Sequence, residues 1–450
     1  MNILKCLTIF LTSCLFSTSC YAEISFDGRW KGDLNLGQAK LTLVFNIQHT
    51  DAEQSATLDI REQNVKGLEV DKMNITDSTI RLSISAIGFT FKGTLTEETP
   101  IIKGEMHQNG YTFPLSLEPY AEVKRPQTPQ APFPYRQEEV AFYNHLDGNK
   151  FTGTLVTPLL MKANTPIAIL VSGSGQQNRD EELMDHRPFL VIADYLARNG
   201  IATLRYDDRG IGGSEATNLL SSTTETFKTD AASAIKFLKD KGYLNIGIIG
   251  HSEGGLIAYM LGAESADLSF IISLAGTAVG GDSILLQQNR LILEKSNVPQ
   301  ATISSYCNLL SEIYTLKRTQ TIDNREQIIS MLKEKYCTLP DQLKANLPAL
   351  LQSQPWLDYF ITYDPTPTLQ QIKCRTLALN GEKDVQVVAT QNISAAQRHI
   401  PSELLTTKIY PNLNHLFQNC TTGMPIEYAQ IEETISPEVL KDIVNWIRKN

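Results

Sequence analysis

The sequence predicts a two-part chain: a small antiparallel β domain over residues 23–118, then a doubly wound, mostly parallel α/β sheet over residues 138–450. Three observations predict it. The early part alternates apolar and polar residues with a period of two, the signature of half-buried strands. The later part alternates continuous apolar runs with helical patterns, as when helices cover both faces of a parallel sheet. A proline-rich stretch separates the two.

The 450 residues carry a formal net charge of −9, which speaks against nucleic acid or an anionic membrane surface as a partner. The chain opens with Lys5 and an apolar run through Leu7, Ile9, Phe10, Leu11, Leu15 and Phe16. That run is roughly ten residues long, short of the ~20 that span a bilayer. Small residues follow, so residues 1–22 read as a secretory signal peptide cut near Ala22. A second reading takes Leu11-Thr12-Ser13-Cys14 as a lipobox that would leave a lipid-modified Cys14. The apolar run continues past Cys14, which favours simple cleavage. The expectation is an exported protein, periplasmic or secreted, with no integral membrane span. Beyond residue 22 the cysteines are Cys307, Cys337, Cys374 and Cys420, spaced in no zinc pattern. In an oxidising compartment Cys307 and Cys337, both in helical stretches, could bridge.

In the first domain Leu41, Leu43, Phe45 and Ile47 share one strand face, and Ile80, Leu82 and Ile84 alternate with Arg81 and Ser83. Several such runs between turns suggest a small antiparallel sheet or barrel. Asp27-Gly28-Arg29-Trp30 is similar to the Gly-x-Trp opening of lipocalin-like barrels. Pro126, Pro129, Pro132 and Pro134 cannot continue a ladder, so residues 119–137 read as a linker.

Beyond it, residues 167–171, 201–204, 246–249, 270–274 and 376–379 are continuous apolar runs. Helical patterns cover 188–199, 226–239, 256–261 and 391–398. A last amphipathic helix spans 435–448, with Ser436 placed as its cap and Pro437 in its first turn. The polar, helical stretch from about 277 to 364 interrupts this rhythm and reads as a helical cap inserted over the site.

The run ending at Ile249 enters Gly250-His251-Ser252-Glu253-Gly254-Gly255 and then a helix. This is G-x-S-x-G in a strand–turn–helix setting, which lifts a serine oxygen clear at the carboxyl end of a sheet. Glycines two residues either side let strand and helix close up. The helix start aims amides at the site, so the Glu253 N–H is a natural oxyanion donor. A serine hydroxyl needs a base. Of the two histidines after Ser252, His399 lies late in a helical pattern, whereas His415 lies in the loop following the β run 405–410. His415 is therefore the expected base. The acid should follow the preceding strand, where Glu382 and Asp384 both qualify. Asp384, deeper in the loop beyond Gly381, is favoured to hold the imidazole tautomer. The turn Val171-Ser172-Gly173-Ser174-Gly175-Gln176 should supply the second oxyanion donor, the Ser174 N–H, with Gly175 N–H its rival. It lacks the later glycine and lysine of a nucleotide loop, so nucleotide binding is not expected.

As an ordered set, Gly173-Ser174-Gly175 with Arg179-Asp180, Arg205-Tyr206-Asp207-Asp208-Arg209-Gly210-Ile211-Gly212-Gly213-Ser214, Gly250 to Gly255, Asn380 to Asp384 and Asn414-His415 resembles bacterial α/β-hydrolase-fold carboxylesterases with an extra N-terminal domain. The resemblance covers roughly residues 138–450. It implies hydrolysis of a small-molecule ester through an acyl-enzyme, without metal or cofactor, with Ser252, Asp384 and His415 as nucleophile, acid and base. It also implies structural roles for Arg205, Asp208 and Arg209. The chain departs from the pattern at Ser172, where many such proteins have His. Rival expectations are a prolyl-oligopeptidase-like peptidase, a thioesterase, and a non-enzymatic glycan- or lipid-binding protein.

Overall fold

The computed structural model describes residues 25–449, apart from 37–38, 50–53, 61–62, 64, 77, 97–99, 122 and 320–323. The leader-like segment 1–22, with Cys14, lies outside the described residues. The chain divides into two compact units, Met1–Glu122 and Val123–Asn450.

Period-two patterning gives the first unit its strands: β1 (Gly28–Leu36), β2 (Ala39–His49), β3 (Gln54–Ile60), β4 (Val65–Glu69), β5 (Lys72–Ile75), β6 (Thr79–Ile84), β7 (Phe89–Leu95), β8 (Ile102–Gln108) and β9 (Tyr111–Pro119). Their order is β4-β3-β2-β1-β9-β8-β7-β6-β5, all antiparallel, so the meander joins its own ends at β1–β9 and opens between β4 and β5. Phe45, Leu58, Leu82, Phe91 and Leu117 are sealed in its interior. Trp30 is buried there too, its indole N–H donating to the Phe26 carbonyl at 2.7 Å.

The second unit is built on β10 (Tyr135–Tyr143), β11 (Lys150–Pro158), β12 (Ile167–Val171), β13 (Ala202–Tyr206), β14 (Ile246–His251), β15 (Leu268–Leu274), β16 (Arg375–Gly381) and β17 (Leu405–Tyr410). The sheet order is β10-β11-β13-β12-β14-β15-β16-β17; β11 runs antiparallel to both its neighbours, and the pairings from β13 to β17 are parallel. Residues of α1 (Pro188–Arg198) and the C-terminal helix pack one face of the sheet, in a core that includes Phe189, Ile192, Ile272 and Ile443. Residues of α2 (Thr224–Asp240) and α3 (Glu253–Glu264) pack the other, around Ala234, Ile248, Ile257 and Ile271. Both faces of the central strands are thus buried, which is why their sequences are unbroken apolar runs.

Between β15 and β16 stands a helical block: α4 (Gly281–Lys295), α5 (Gln300–Arg318), α6 (Arg325–Lys335), α7 (Asp341–Lys344), α8 (Leu347–Leu350), α9 (Pro355–Thr362) and α10 (Thr366–Gln370). It has its own core around Leu310, Ile313, Leu332, Leu347 and Ile361. A smaller cluster of Leu256, Met260, Ile284, Phe360 and Val387 ties α4 and α9 to α3. The chain ends through α11 (Ala389–His399) and α12 (Pro437–Arg448). Ser436 occupies the N-cap of α12 but its side chain makes no capping bond.

One expectation is refined and one corrected. Within the stretch 119–137, read as a linker, Arg125 and Gln127 are tied down. Arg125 donates to the carbonyls of Ile431 at 2.9 Å and Ala429 at 3.0 Å, and Gln127 donates to Ile435 O at 2.7 Å and accepts from Thr434 N at 2.6 Å. Prolines forbid a ladder but leave side chains free to clamp, and β10 already begins at Tyr135. Cys307 and Cys337 are both free thiols: Cys307 is buried within α5, whereas Cys337 is exposed beyond the end of α6. Helical position alone did not make them face each other.

Candidate active site

β14 delivers the chain to Ser252 at φ 54°, ψ −116°, a region that non-glycine residues rarely occupy. The turn is sharp enough that a Cβ on Gly250 would collide with the Gly254 carbonyl, and one on Gly254 with the Val171 carbonyl. The Ser252 N–H donates to Leu274 O at 2.9 Å, pinning the turn to β15. Ser252 is half-buried, and Glu253 is the first residue of α3, where an amide has no partner within its own helix.

His415 and Asp384 meet at the carboxyl ends of β17 and β16. His415 Nδ1 lies 2.7 Å from Asp384 Oδ2, and both residues are buried. A carboxylate accepts, so Nδ1 carries the proton and Nε2 is left as the basic nitrogen. Asp384 is itself held by the amides of Gln386 and Val387, both at 2.8 Å to Oδ1, and by Asn380 Nδ2 at 3.1 Å to Oδ2. The loop bearing His415 is stiffened by Asn414, whose Oδ1 accepts from the amides of Leu416 at 3.0 Å and Gln418 at 2.9 Å. Glu382 is exposed and accepts from the Asn412 amide at 3.3 Å. His399 sits half-buried at the end of α11.

The loop after β12 lies against the serine: a Cβ on Gly173 would come within 3.2 Å of Ser252 Cβ. Its Gly173 amide is already engaged, donating to Glu181 Oε1 at 2.9 Å. Ser172, in the place of the expected His, donates its hydroxyl to Asp208 at 2.9 and 3.0 Å. Asp208 also takes the Gln177 amide at 2.9 Å, so it shapes the loop from below. Arg205 pairs with Asp180, while Arg209 donates to Asp230 Oδ2 at 2.7 Å and Asp147 Oδ2 at 2.6 Å. Among the described residues no group of three or more His, Cys, Asp or Glu could hold a metal ion.

Comparison with known proteins adds to this geometry. The family described as "Serine aminopeptidase, S33" matches residues 187–346. An acyl transferase of Photobacterium leiognathi is 30% identical over 158 residues, 35% of this chain and 48% of that protein. The esterase EstD of Thermotoga maritima is 23% identical over 289 residues, 63% of this chain and 62% of that one. This chain thus spans about half to three-fifths of the length of these curated relatives. A solved esterase of Pyrococcus furiosus superposes with a TM-score of 0.40 at 14% identity, covering 70% of this chain and 93% of that one. Within the second unit, residues 187–346 are thus similar to a serine hydrolase family.

Sequence reasoning missed several side chains that furnish this site. Glu253 is buried, and its carboxylate accepts from Thr224 Oγ1 at 2.6 Å and from Trp356 Nε1 at 2.8 Å. Trp356, in the first turn of α9, thereby links the helical block to the residue after the serine. Burial raises the Glu253 carboxyl above its usual range, against the pull of the Thr224, Trp356 and Ser174 hydrogen bonds. Glu181 and His251 form a second buried acid–imidazole pair beside the first, 2.9 Å apart. His251 stood inside the G-x-S-x-G motif, but its partner lies 70 residues away and no spacing rule announces it.

Proposed function

We propose that the protein is a serine hydrolase of carboxylic esters, with Ser252 as nucleophile, His415 as general base and acid, and Asp384 orienting the imidazole. The observation that carries this reading is the 2.7 Å contact of His415 Nδ1 with Asp384 Oδ2, with the His415 ring 4.7 Å from that of His251, the residue before a serine held at positive φ. His415 Nε2 takes the Ser252 proton as Oγ attacks the ester carbonyl, and the oxyanion is met by the amides of Glu253 and Ser174. His415 then passes that proton to the leaving alcohol. Water, deprotonated the same way, releases the acid and restores the serine. In this reading the helical block is a cap over the site, anchored on α3 through the buried cluster of Leu256, Met260, Ile284, Phe360 and Val387.

The ester reading is preferred to an aminopeptidase one for a chemical reason. A peptidase that takes free N-termini needs a carboxylate available to an ammonium group. The buried carboxylates flanking the serine turn, Glu181 and Glu253, are both taken by protein donors. Export of the protein rests on the leader pattern of residues 1–22 alone.

Ser252→Ala tests the function. Hydrolysis of p-nitrophenyl esters should fall by about 10⁴-fold or more, with the circular dichroism spectrum unchanged and fluorophosphonate labelling abolished. Undiminished turnover or labelling in that variant refutes the assignment.

A further inference from the structure

We propose that Glu181 and His251 form a positioning bridge, carrying one shared positive charge and one negative, that ties the oxyanion loop to the loop bearing His415. The inference rests on the ester-hydrolase reading of the site. Its basis is a chain of contacts. Glu181 Oε1 accepts from the Gly173 amide at 2.9 Å and lies 2.9 Å from His251 Nδ1. His251 Nε2 lies 3.1 Å from the carbonyl oxygen of His415, and the two imidazole rings are 4.7 Å apart. Glu181, His251 and His415 are 4%, 7% and 5% exposed, so water does not substitute for any link.

The chemistry of the partners fixes the proton count. A peptide carbonyl only accepts, and so does a carboxylate. An imidazole placed between the two must donate from both nitrogens, which makes it a cation. Burial opposes that charge. The Glu181 carboxylate and its hydrogen bond, with the His415 carbonyl and the more distant Asp384, outweigh burial and hold His251 above its ordinary value. The groups around the pair are Glu181 from the loop after β12, Asp384 from the loop after β16, His415 from the loop after β17, and Asp208, which the Glu181 charge also reaches.

Two consequences follow for the reaction. Gly173 lies against Ser252, so Glu181 sets how the oxyanion loop presents its following amide, that of Ser174. At the same time His251 fixes the backbone of the base without touching its Nε2. Glu181 neutralises His251, so the imidazolium that forms on His415 during turnover does not face an uncompensated cation. Glu181 and His251 are positioning residues: neither touches the reacting atoms.

The test reads charge as well as activity. In wild-type protein with ¹⁵N-labelled histidine, His251, assigned by the signal missing from His251→Gln, should show both ring nitrogens protonated at pH 8. A pyridine-type nitrogen on His251 overturns the proposal, whatever the activity. In kinetics, His251→Gln keeps a donor for the His415 carbonyl but leaves Glu181 without a counter-charge. The acid limb of its kcat/KM profile should move up by about one pH unit. Glu181→Gln combined with His251→Gln should return the limb to its wild-type position. A limb that stays put in His251→Gln overturns the electrostatic role. Failure of the ester reading is separate: it would show as turnover surviving in Ser252→Ala, while the nitrogen spectrum stands regardless.

Discussion

At the scale of single residues, the site is made by side chains held in protonation and backbone states they would not choose in water. Asp208 is the sharpest instance. Burial among the loops pushes its carboxyl up to about 8, with Glu181 and Asp230 adding repulsion, against the donors Gln177 and Ser172. The sign follows by linkage. The folded protein keeps a proton on Asp208 that the unfolded chain, with an ordinary value of 3.8, has already released. The stability this gives is fully present below about 4 and drains away as pH rises toward about 8. His186 works in the opposite sense, since burial lowers it from 6.5 to about 4 and its neutral form is lost on acidification. Above 6.5 the Asp208 effect is therefore clear of it. Asp208→Asn keeps one acceptor oxygen for Ser172 and Gln177, without the ionisation. Between pH 6.5 and 8 its melting temperature should fall less than that of the wild type, by differential scanning calorimetry; equal slopes in both proteins would show that Asp208 is ionised throughout.

At the scale of elements, the turn after β13 shows what the sequence carried and what it did not. Its motif, Arg205 to Ser214, was legible as a structural turn only through the resemblance to bacterial α/β-hydrolase-fold carboxylesterases. The partners of Arg209 were not legible: Asp230 comes from α2 and Asp147 from the β10–β11 connection. Together they convert one side chain into a rivet between three segments. Arg209 is 1% exposed, so removing it strands the buried Asp230 carboxylate. Arg209→Ala should destabilise the domain by about 3–5 kcal/mol in urea denaturation. Arg209→Lys should recover only part of that, because an ammonium cannot match the two-oxygen contact. A loss below about 1 kcal/mol for Arg209→Ala would mean that the pair is dispensable. The same contrast explains the strands. β12 and β14 are covered on both faces and read as pure apolar runs. β10, with Arg136, Gln137, Glu138 and Glu139 exposed at the sheet edge, offered no periodic signal, and β11 mixes Thr and Gly into its apolar positions. Residues 252, 384 and 415 could be proposed from the sequence because each sits on a loop whose place is dictated by strand order. Glu181 and Trp356 act through tertiary contacts that no local pattern encodes.

At the scale of the whole molecule, the two units have separate cores, and every group assigned to the reaction lies in the second. Ser252, Asp384, His415, the loop after β12 and the Glu181–His251 bridge all take their partners from within Val123–Asn450. A chain of residues 123–450 should therefore fold alone and hydrolyse esters with kcat/KM within a few-fold of the full-length protein. The exact start matters. Arg125 and Gln127 clamp the segment 429–435, and Tyr135, 6% exposed, donates its hydroxyl to Asp194 at 2.9 Å and stacks on Phe133. A chain beginning at residue 138 loses all of these together with the first residues of β10. Removal of a buried aromatic side chain alone costs about 3–5 kcal/mol. The shorter chain should melt well below the longer one, with its fluorophosphonate labelling lost at a lower temperature. Equal melting temperatures for the two truncations would mean that residues 123–137 are a tether after all, and that the clamp onto segment 429–435 contributes nothing to the fold.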